Sequence, residues 1–193
     1  MIKAVILDCF GVLYIPVGED FYQSHVPNYE KKRDELRDLG RQADYGLISQ
    51  EDLVLAVAQL TEMDPNDVRD KLVGGLVRNQ ALLDFSQSLR PQYKIGMLSN
   101  ISASTMDTFF TQKEREQYFD DVVISSEVGM TKPHPAIFEL ACRRLGVDTS
   151  EAVMIDDSSA NCAGALEAGM QAIVYESFAQ TTSALKKFLT NSK

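Results

Sequence analysis

The sequence predicts an α/β fold, a doubly wound parallel sheet of about five strands with a small α-helical cap inserted after the first strand. Three observations predict it. Short apolar runs recur along the chain without polar alternation, helix-length segments separate the later runs, and the gap after the first run is too long for a loop.

The runs are Ala4-Val5-Ile6-Leu7, Ile95-Gly96-Met97-Leu98, Val122-Val123-Ile124, Ala152-Val153-Met154-Ile155 and Ala172-Ile173-Val174. A strand with one wet face alternates, whereas a continuous run fits a strand covered on both faces, as in a parallel sheet between helices. Pro135 to Leu145 reads as a helix with proline at its start and Gly146 past its end. Ser159 to Ala168 is followed by Gly169 in the same way, and Phe178 to Leu189 reads as a final helix. The first gap holds four further helical segments, Tyr29 to Leu39, Ser49 to Leu60, Pro65 to Leu72 and Asn79 to Leu89. Ser49 with the early acids Glu51 and Asp52 is a helix-start signature. Residues 15–90 are therefore read as the inserted cap, and residues 1–14 with 91–193 as the core domain.

Composition bounds the function. The 193 residues carry 19 basic and 28 acidic side chains, a formal net charge of −9. That balance argues against nucleic acid as a partner, which needs a basic stripe. It also means that an anionic substrate must meet a local cation or a set of oriented donors. No apolar stretch approaches the roughly 18 residues of a membrane span, so no membrane partner is expected. Cys9, Cys142 and Cys162 show neither CxxC nor Cys/His spacing, which disfavours zinc and fits a reducing, cytoplasmic setting. The first residues lack the charged, apolar and small-residue regions of a secretory signal. The assembly is expected to be a monomer or a homodimer.

Function is read from the strand ends. The first run ends in Asp8, the second in Ser99-Asn100, and the fourth in Asp156-Asp157; Lys132 follows the third. Ligands of open α/β sheets bind outside the carboxyl ends of the strands. A nucleophilic carboxylate, a hydroxyl, an ammonium and a carboxylate pair should thus share one crevice. Asp8 can attack an electrophile, clustered carboxylates can hold Mg²⁺, and Ser99 and Lys132 can neutralise an anion. Backbone N–H groups after Asp8 and Ser99 are further candidate donors, because the chain turns there. Each residue also has a bland reading. Asp8 can be a strand-end turn residue, Ser99-Asn100 a turn pair, Lys132 a solvated lysine, and Asp156-Asp157 a helix cap. Arg33, Arg37 and Arg41 recur at helical spacing and read as a solvated face.

Four segments together resemble the ordered motifs of the haloacid dehalogenase-like superfamily. They are Asp8-Cys9-Phe10-Gly11-Val12-Leu13, Leu98-Ser99-Asn100, Gly129-Met130-Thr131-Lys132-Pro133 and Ile155-Asp156-Asp157-Ser158. The small-residue stretch Asn161 to Gly169, followed by Met170, resembles the helix after the fourth motif. The resemblance implies a Rossmann-like core with the cap between the first two motifs, and an aspartyl-phosphate mechanism with Mg²⁺. Carried over, Asp8 is the nucleophile and a metal ligand, the Phe10 carbonyl is a second ligand, and Asp157 binds the ion with Asp156 beside it. Ser99, Asn100, Gly11 and Lys132 would hold the phosphoryl group of a small phosphorylated substrate, such as a sugar phosphate.

The chain departs from the family pattern at one place. Most phosphatases of the superfamily carry a second Asp two residues after the nucleophile, which protonates the leaving group. Phe10 stands there and has no proton to give. General acid–base help is worth about 10²–10⁴-fold. Two alternatives follow: a dehalogenase-like hydrolase in which Asp8 attacks carbon, whose family members carry an aromatic residue there, and a catalytically impaired binding module.

Overall fold

The computed structural model describes residues 1–16 and 21–190. In chain order, β1 (Ala4–Leu7) and β2 (Tyr14–Pro16) precede the helices α1 (Phe21–His25), α2 (Tyr29–Asp44), α3 (Gln50–Thr61) and α4 (Pro65–Gly74). Then come β3 (Leu76–Arg78), α5 (Gln80–Leu89), β4 (Lys94–Ser99), α6 (Ala103–Phe109), α7 (Gln112–Tyr118), β5 (Asp121–Ile124) and α8 (Ser125–Val128). The chain closes with α9 (Pro135–Leu145), β6 (Ala152–Asp156), α10 (Ser159–Glu167), β7 (Gln171–Val174) and α11 (Phe178–Thr190).

Five strands form one parallel sheet in the order β5-β4-β1-β6-β7, the Rossmann-like arrangement expected. The alternation of side chains along a strand sorts the core into two layers. Val5, Leu7, Ile95, Met97, Val153 and Ile155 pack on one face with Leu82 and Leu83 of α5, Met106 of α6 and Leu185 of α11. Ala4, Ile6, Leu98 and Met154 pack on the other with Ile137, Phe138 and Ala141 of α9 and Ala165 of α10. Both faces are covered, which is why the strands read as unbroken apolar runs.

Helices α2, α3 and α4 share a third apolar cluster that includes Leu36, Leu53, Val54, Val57 and Val68. A reciprocal Ser49–Asp52 capping box starts α3: Asp52 N–H donates to Ser49 Oγ, and Ser49 N–H donates to Asp52 Oδ2. The chain leaves the core along β2 and returns along β3. The two strands pair antiparallel, with Tyr14 opposite Arg78 and Pro16 opposite Leu76. Sequence periodicity gave no sign of this ribbon. Helix α5 follows it and packs on the sheet, so the apolar face of Asn79 to Leu89, placed by length within residues 15–90, belongs to the main core cluster. Among the described residues no helix is long and apolar enough to cross a membrane.

Candidate active site

β1 stops at Leu7, and Asp8 continues its line: Asp8 N–H donates to Ile155 O at 2.9 Å, beside β6. The chain then turns sharply. Leu13 and Tyr14 N–H both donate to Cys9 O, and Gly11 N–H donates to Tyr14 O. Gly11 has φ +81, and a Cβ there would lie 2.2 Å from Asp157 Oδ2. Only glycine lets this turn press against that carboxylate. The N–H of Gly11, a candidate phosphoryl-binding residue in the sequence, closes the turn on Tyr14 O. Cys9 N–H donates to Asp8 Oδ1 at 2.6 Å and is likewise engaged. The Cys9 side chain is fully buried, and burial pushes its thiol pKa far up, so it is packing.

Lys132 comes from the loop between α8 and α9, and three contacts aim it. The Asn100 side chain grips its backbone: Lys132 N–H donates to Asn100 Oδ1 at 2.9 Å, and Asn100 Nδ2 donates to Lys132 O at 3.0 Å. Asn100, a candidate phosphoryl ligand in the sequence, thus spends its Oδ1 and one Nδ2 hydrogen on the Lys132 backbone. From the other side, Gly164 of α10 lies so close that a Cβ would sit 2.0 Å from Pro133 O. The small-residue helix thus lets the lysine loop seat against it. The lysine is no solvated side chain. It is buried, with Nζ 2.8 Å from Asp8 Oδ1 and 2.6 Å from Asp156 Oδ2.

Asp156 is fully buried at the end of β6 and completely bonded. Its Oδ1 accepts Ser158 N–H and Asn161 Nδ2, both at 2.9 Å, and its Oδ2 takes Lys132. Buried charges persist only when paired and hydrogen-bonded, and this one is both. Ser99 ends β4 buried beside Asn100, with no hydrogen bond to its Oγ among the described residues. Phe10 stacks edge-on against Phe109, ring centroids 5.0 Å apart.

Asp8, Asp156 and Asp157 each turn one oxygen inward, all within 4.8 Å of one another. The electrostatics follow. Burial raises the Asp8 pKa; Lys132 opposes that rise and Asp156 adds to it. Burial works against the Lys132 charge, but Asp8 and Asp156 outweigh it and hold the ammonium above its usual pKa. Burial and then Asp156 raise Asp157. Three carboxylates face one buried ammonium, leaving negative charge in excess. Clustered oxygen donors with surplus negative charge suit a hard divalent cation, so the residues present fit Mg²⁺.

A pocket shares Phe10 and Asn100 with these strand-end loops. Ile101 lines it with them, and Leu53, Leu72 and Asp44 line it from α3, α4 and α2. Burial, against the pull of Lys132 and with the push of Asp8, raises the Asp44 carboxyl to about 7. Sequence reasoning missed Asp44, which belongs to no motif. The helical segment read from the sequence ends at Leu39, so nothing there marks Asp44 as an acid at the end of a helix, where the dipole disfavours it. The arginines of α2 pair with neighbouring acids: Arg33 with Glu30, Arg37 with Asp34 and Arg41 with Asp38, as a solvated face does.

Comparison with known proteins agrees with this geometry. A family profile of haloacid dehalogenase-like hydrolases matches residues 2–169. Glyceraldehyde 3-phosphate phosphatase of Methanothermobacter thermautotrophicus is 36% identical over 86 residues, which is 44% of this chain and 38% of that protein. Pyrophosphatase PpaX of Bacillus cereus is 26% identical over 152 residues, 76% of this chain and 67% of that one. This chain therefore spans well under half the length of the archaeal relative. A family enzyme of Bacteroides thetaiotaomicron, solved with magnesium and inorganic phosphate, superposes with a TM-score of 0.77 at 26% identity, covering 92% of this chain and 96% of that one. With the motifs, the sheet order and the matched span in agreement, the chain belongs to the haloacid dehalogenase-like hydrolase family.

Proposed function

We propose that the protein is a Mg²⁺-dependent phosphatase that hydrolyses a small phosphorylated metabolite, of the sugar-phosphate class, through an aspartyl-phosphate on Asp8. The observation that carries this reading is the buried Lys132 joined to both Asp8 and Asp156, with Asp157 alongside. The names of the relatives and the magnesium and phosphate in the similar structure support it.

Asp8 is the nucleophile, held at the end of β1 by its own N–H bond to β6. Lys132 compensates its charge and that of an arriving phosphoryl oxygen. Asp156 holds the lysine rather than the substrate. Asn100 positions the lysine's backbone, and Ser99 Oγ donates to a phosphoryl oxygen. Asp8, Asp157 and the Phe10 carbonyl would hold Mg²⁺, with Asp156 at the edge of the set. The ion, when bound, neutralises charge on the phosphoryl group. Helices α2–α4 form the cap over the pocket, with the β2–β3 ribbon as its stem.

A dehalogenase reading has Phe10 in its favour, since no acid is needed to expel halide. It leaves the surplus carboxylates without a use. The deciding test is a phosphate-ester panel with and without Mg²⁺, alongside 2-chloropropionate, for the native chain and Asp8→Asn. Metal-dependent phosphate release that vanishes in Asp8→Asn is expected. Metal-free chloride release, or equal activity in both proteins, would overturn the proposal.

A further inference from the structure

We infer that Asp44, delivered from the cap, is the general acid that protonates the leaving oxygen, replacing the carboxyl missing at position 10. This rests on the phosphatase reading above. Asp44 is the last residue of α2 and lines the same pocket as Phe10, which follows Asp8 by two residues, and both Asp8 and Lys132 act on its charge. Among the described residues it is the one carboxyl group in that lining.

Its place is fixed by the core. The buried Ser125 at the start of α8 donates its Oγ proton to Asp44 O at 2.5 Å, and the same Oγ accepts Ile101 N–H at 2.9 Å. Two residues on, Gly46 with φ +73 passes so near Ser126 that a Cβ would come within 3.1 Å of it. The end of the cap helix is thereby latched to the strand-end loops that build the site. The Asp44 side chain itself has no hydrogen-bond or ion-pair partner among the described residues, so its proton is uncommitted.

Its surroundings suit an acid. Phe10, Ile101, Leu53 and Leu72 make the pocket largely apolar, and the helix dipole presents its negative end at this residue. The charged groups that act on it are Lys132 and Asp8; Tyr22 of α1 is the other titratable group in the lining. Burial, Lys132 and Asp8 together leave the carboxyl at about 7, poised to give and retake a proton near neutrality.

The step balances. An Asp8 oxygen bonds to phosphorus as the ester P–O bond breaks, and the electron pair leaving on the alkoxide oxygen takes the Asp44 proton. The alcohol departs. The Asp44 carboxylate then removes a proton from water as that oxygen attacks the aspartyl-phosphate, which frees Asp8 and inorganic phosphate and restores the acid.

The test compares Asp44→Asn with the native enzyme and Mg²⁺ on two phosphomonoesters, p-nitrophenyl phosphate and glycerol phosphate. The nitrophenolate leaves without protonation and the alkoxide does not. The expected loss of kcat/KM is about 10²–10⁴-fold on glycerol phosphate and below about tenfold on the aryl ester. Phosphorylated enzyme should accumulate on the aryl ester, because the base for the second step is also gone. In the native enzyme kcat/KM on glycerol phosphate should fall as pH rises past neutrality, and that limb should be missing in the variant. Equal losses on both substrates, or no loss on either, would overturn the assignment while leaving the phosphatase reading intact. A native enzyme that releases phosphate from neither ester under any metal condition would remove both.

Discussion

Lys132 Nζ sits 2.8 Å from Asp8 Oδ1 and 2.6 Å from Asp156 Oδ2, so one buried ammonium ties the tip of β1 to the tip of β6. The pairing is structural and chemical at once. It makes two buried carboxylates tolerable, and it sets a positive charge against the carboxylate proposed as the nucleophile.

Replacing Lys132 by Met leaves Asp8 and Asp156 buried without a counter-charge. The expected cost is about 3–5 kcal/mol of stability, with turnover down about 10²–10³-fold. Urea unfolding and steady-state kinetics check both. A variant with native stability would show that the pairing is dispensable.

Asp156 and Asp157 are adjacent but should behave differently. Asp156 is committed to Lys132, Ser158 and Asn161, whereas Asp157 is the exposed member of the trio. Asp157→Asn should weaken Mg²⁺ binding measured by calorimetry. Asp156→Asn should leave that affinity nearer native and lower kcat by about 10–100-fold, as loss of a supporting partner does. The reverse pattern would make Asp156 the principal ligand.

One substitution should have opposite signs in two helices. Gly164→Ala places a methyl group 2.0 Å from Pro133 O, forcing α10 off the lysine loop at about 1–3 kcal/mol and lowering kcat. Gly40→Ala meets nothing within 4 Å in the middle of α2 and should stabilise by about 0.5–1 kcal/mol. Thermal unfolding of the two variants separates these outcomes.

Glu114 gives a pH-dependent contribution. Arg78 at 2.6 Å, then the Thr111 N–H and hydroxyl, hold its carboxyl down at about 2, against 4.5 for a free Glu side chain. A carboxyl depressed in the fold stabilises above its unfolded pKa and loses that contribution as pH falls through the folded one. The stability gap between the native chain and Glu114→Gln should therefore be full above about pH 5 and close as pH falls toward 2. Urea midpoints across that range test it, and a gap independent of pH would contradict it.

How much was legible in the sequence follows from what each feature depends on. The strands were, because burial on both faces is a local compositional mark: Ala4–Leu7 matches residue for residue, and the other four runs differ by a residue or two at their ends. Asp8, Lys132, Asp156 and Asp157 were legible as strand-end chemistry, and the structure brings them together. Partnerships were not. Nothing local says that the Asn100 amide spends itself on the Lys132 backbone, or that the Gly11 N–H closes its own turn. The β2–β3 ribbon has three residues a side and pairs across some sixty intervening positions, too short for periodicity to register. Asp44 was invisible because its meaning arises only when α2 ends against α8.

The most direct measurement is to quench the enzyme during turnover of a phosphate ester with Mg²⁺, reduce the acyl phosphate with borohydride, and map the modified residue by mass spectrometry. Modification is expected at Asp8 alone and not in Asp8→Asn, which should also release no phosphate. An acyl phosphate on another residue, or undiminished phosphate release by Asp8→Asn, would contradict the proposal.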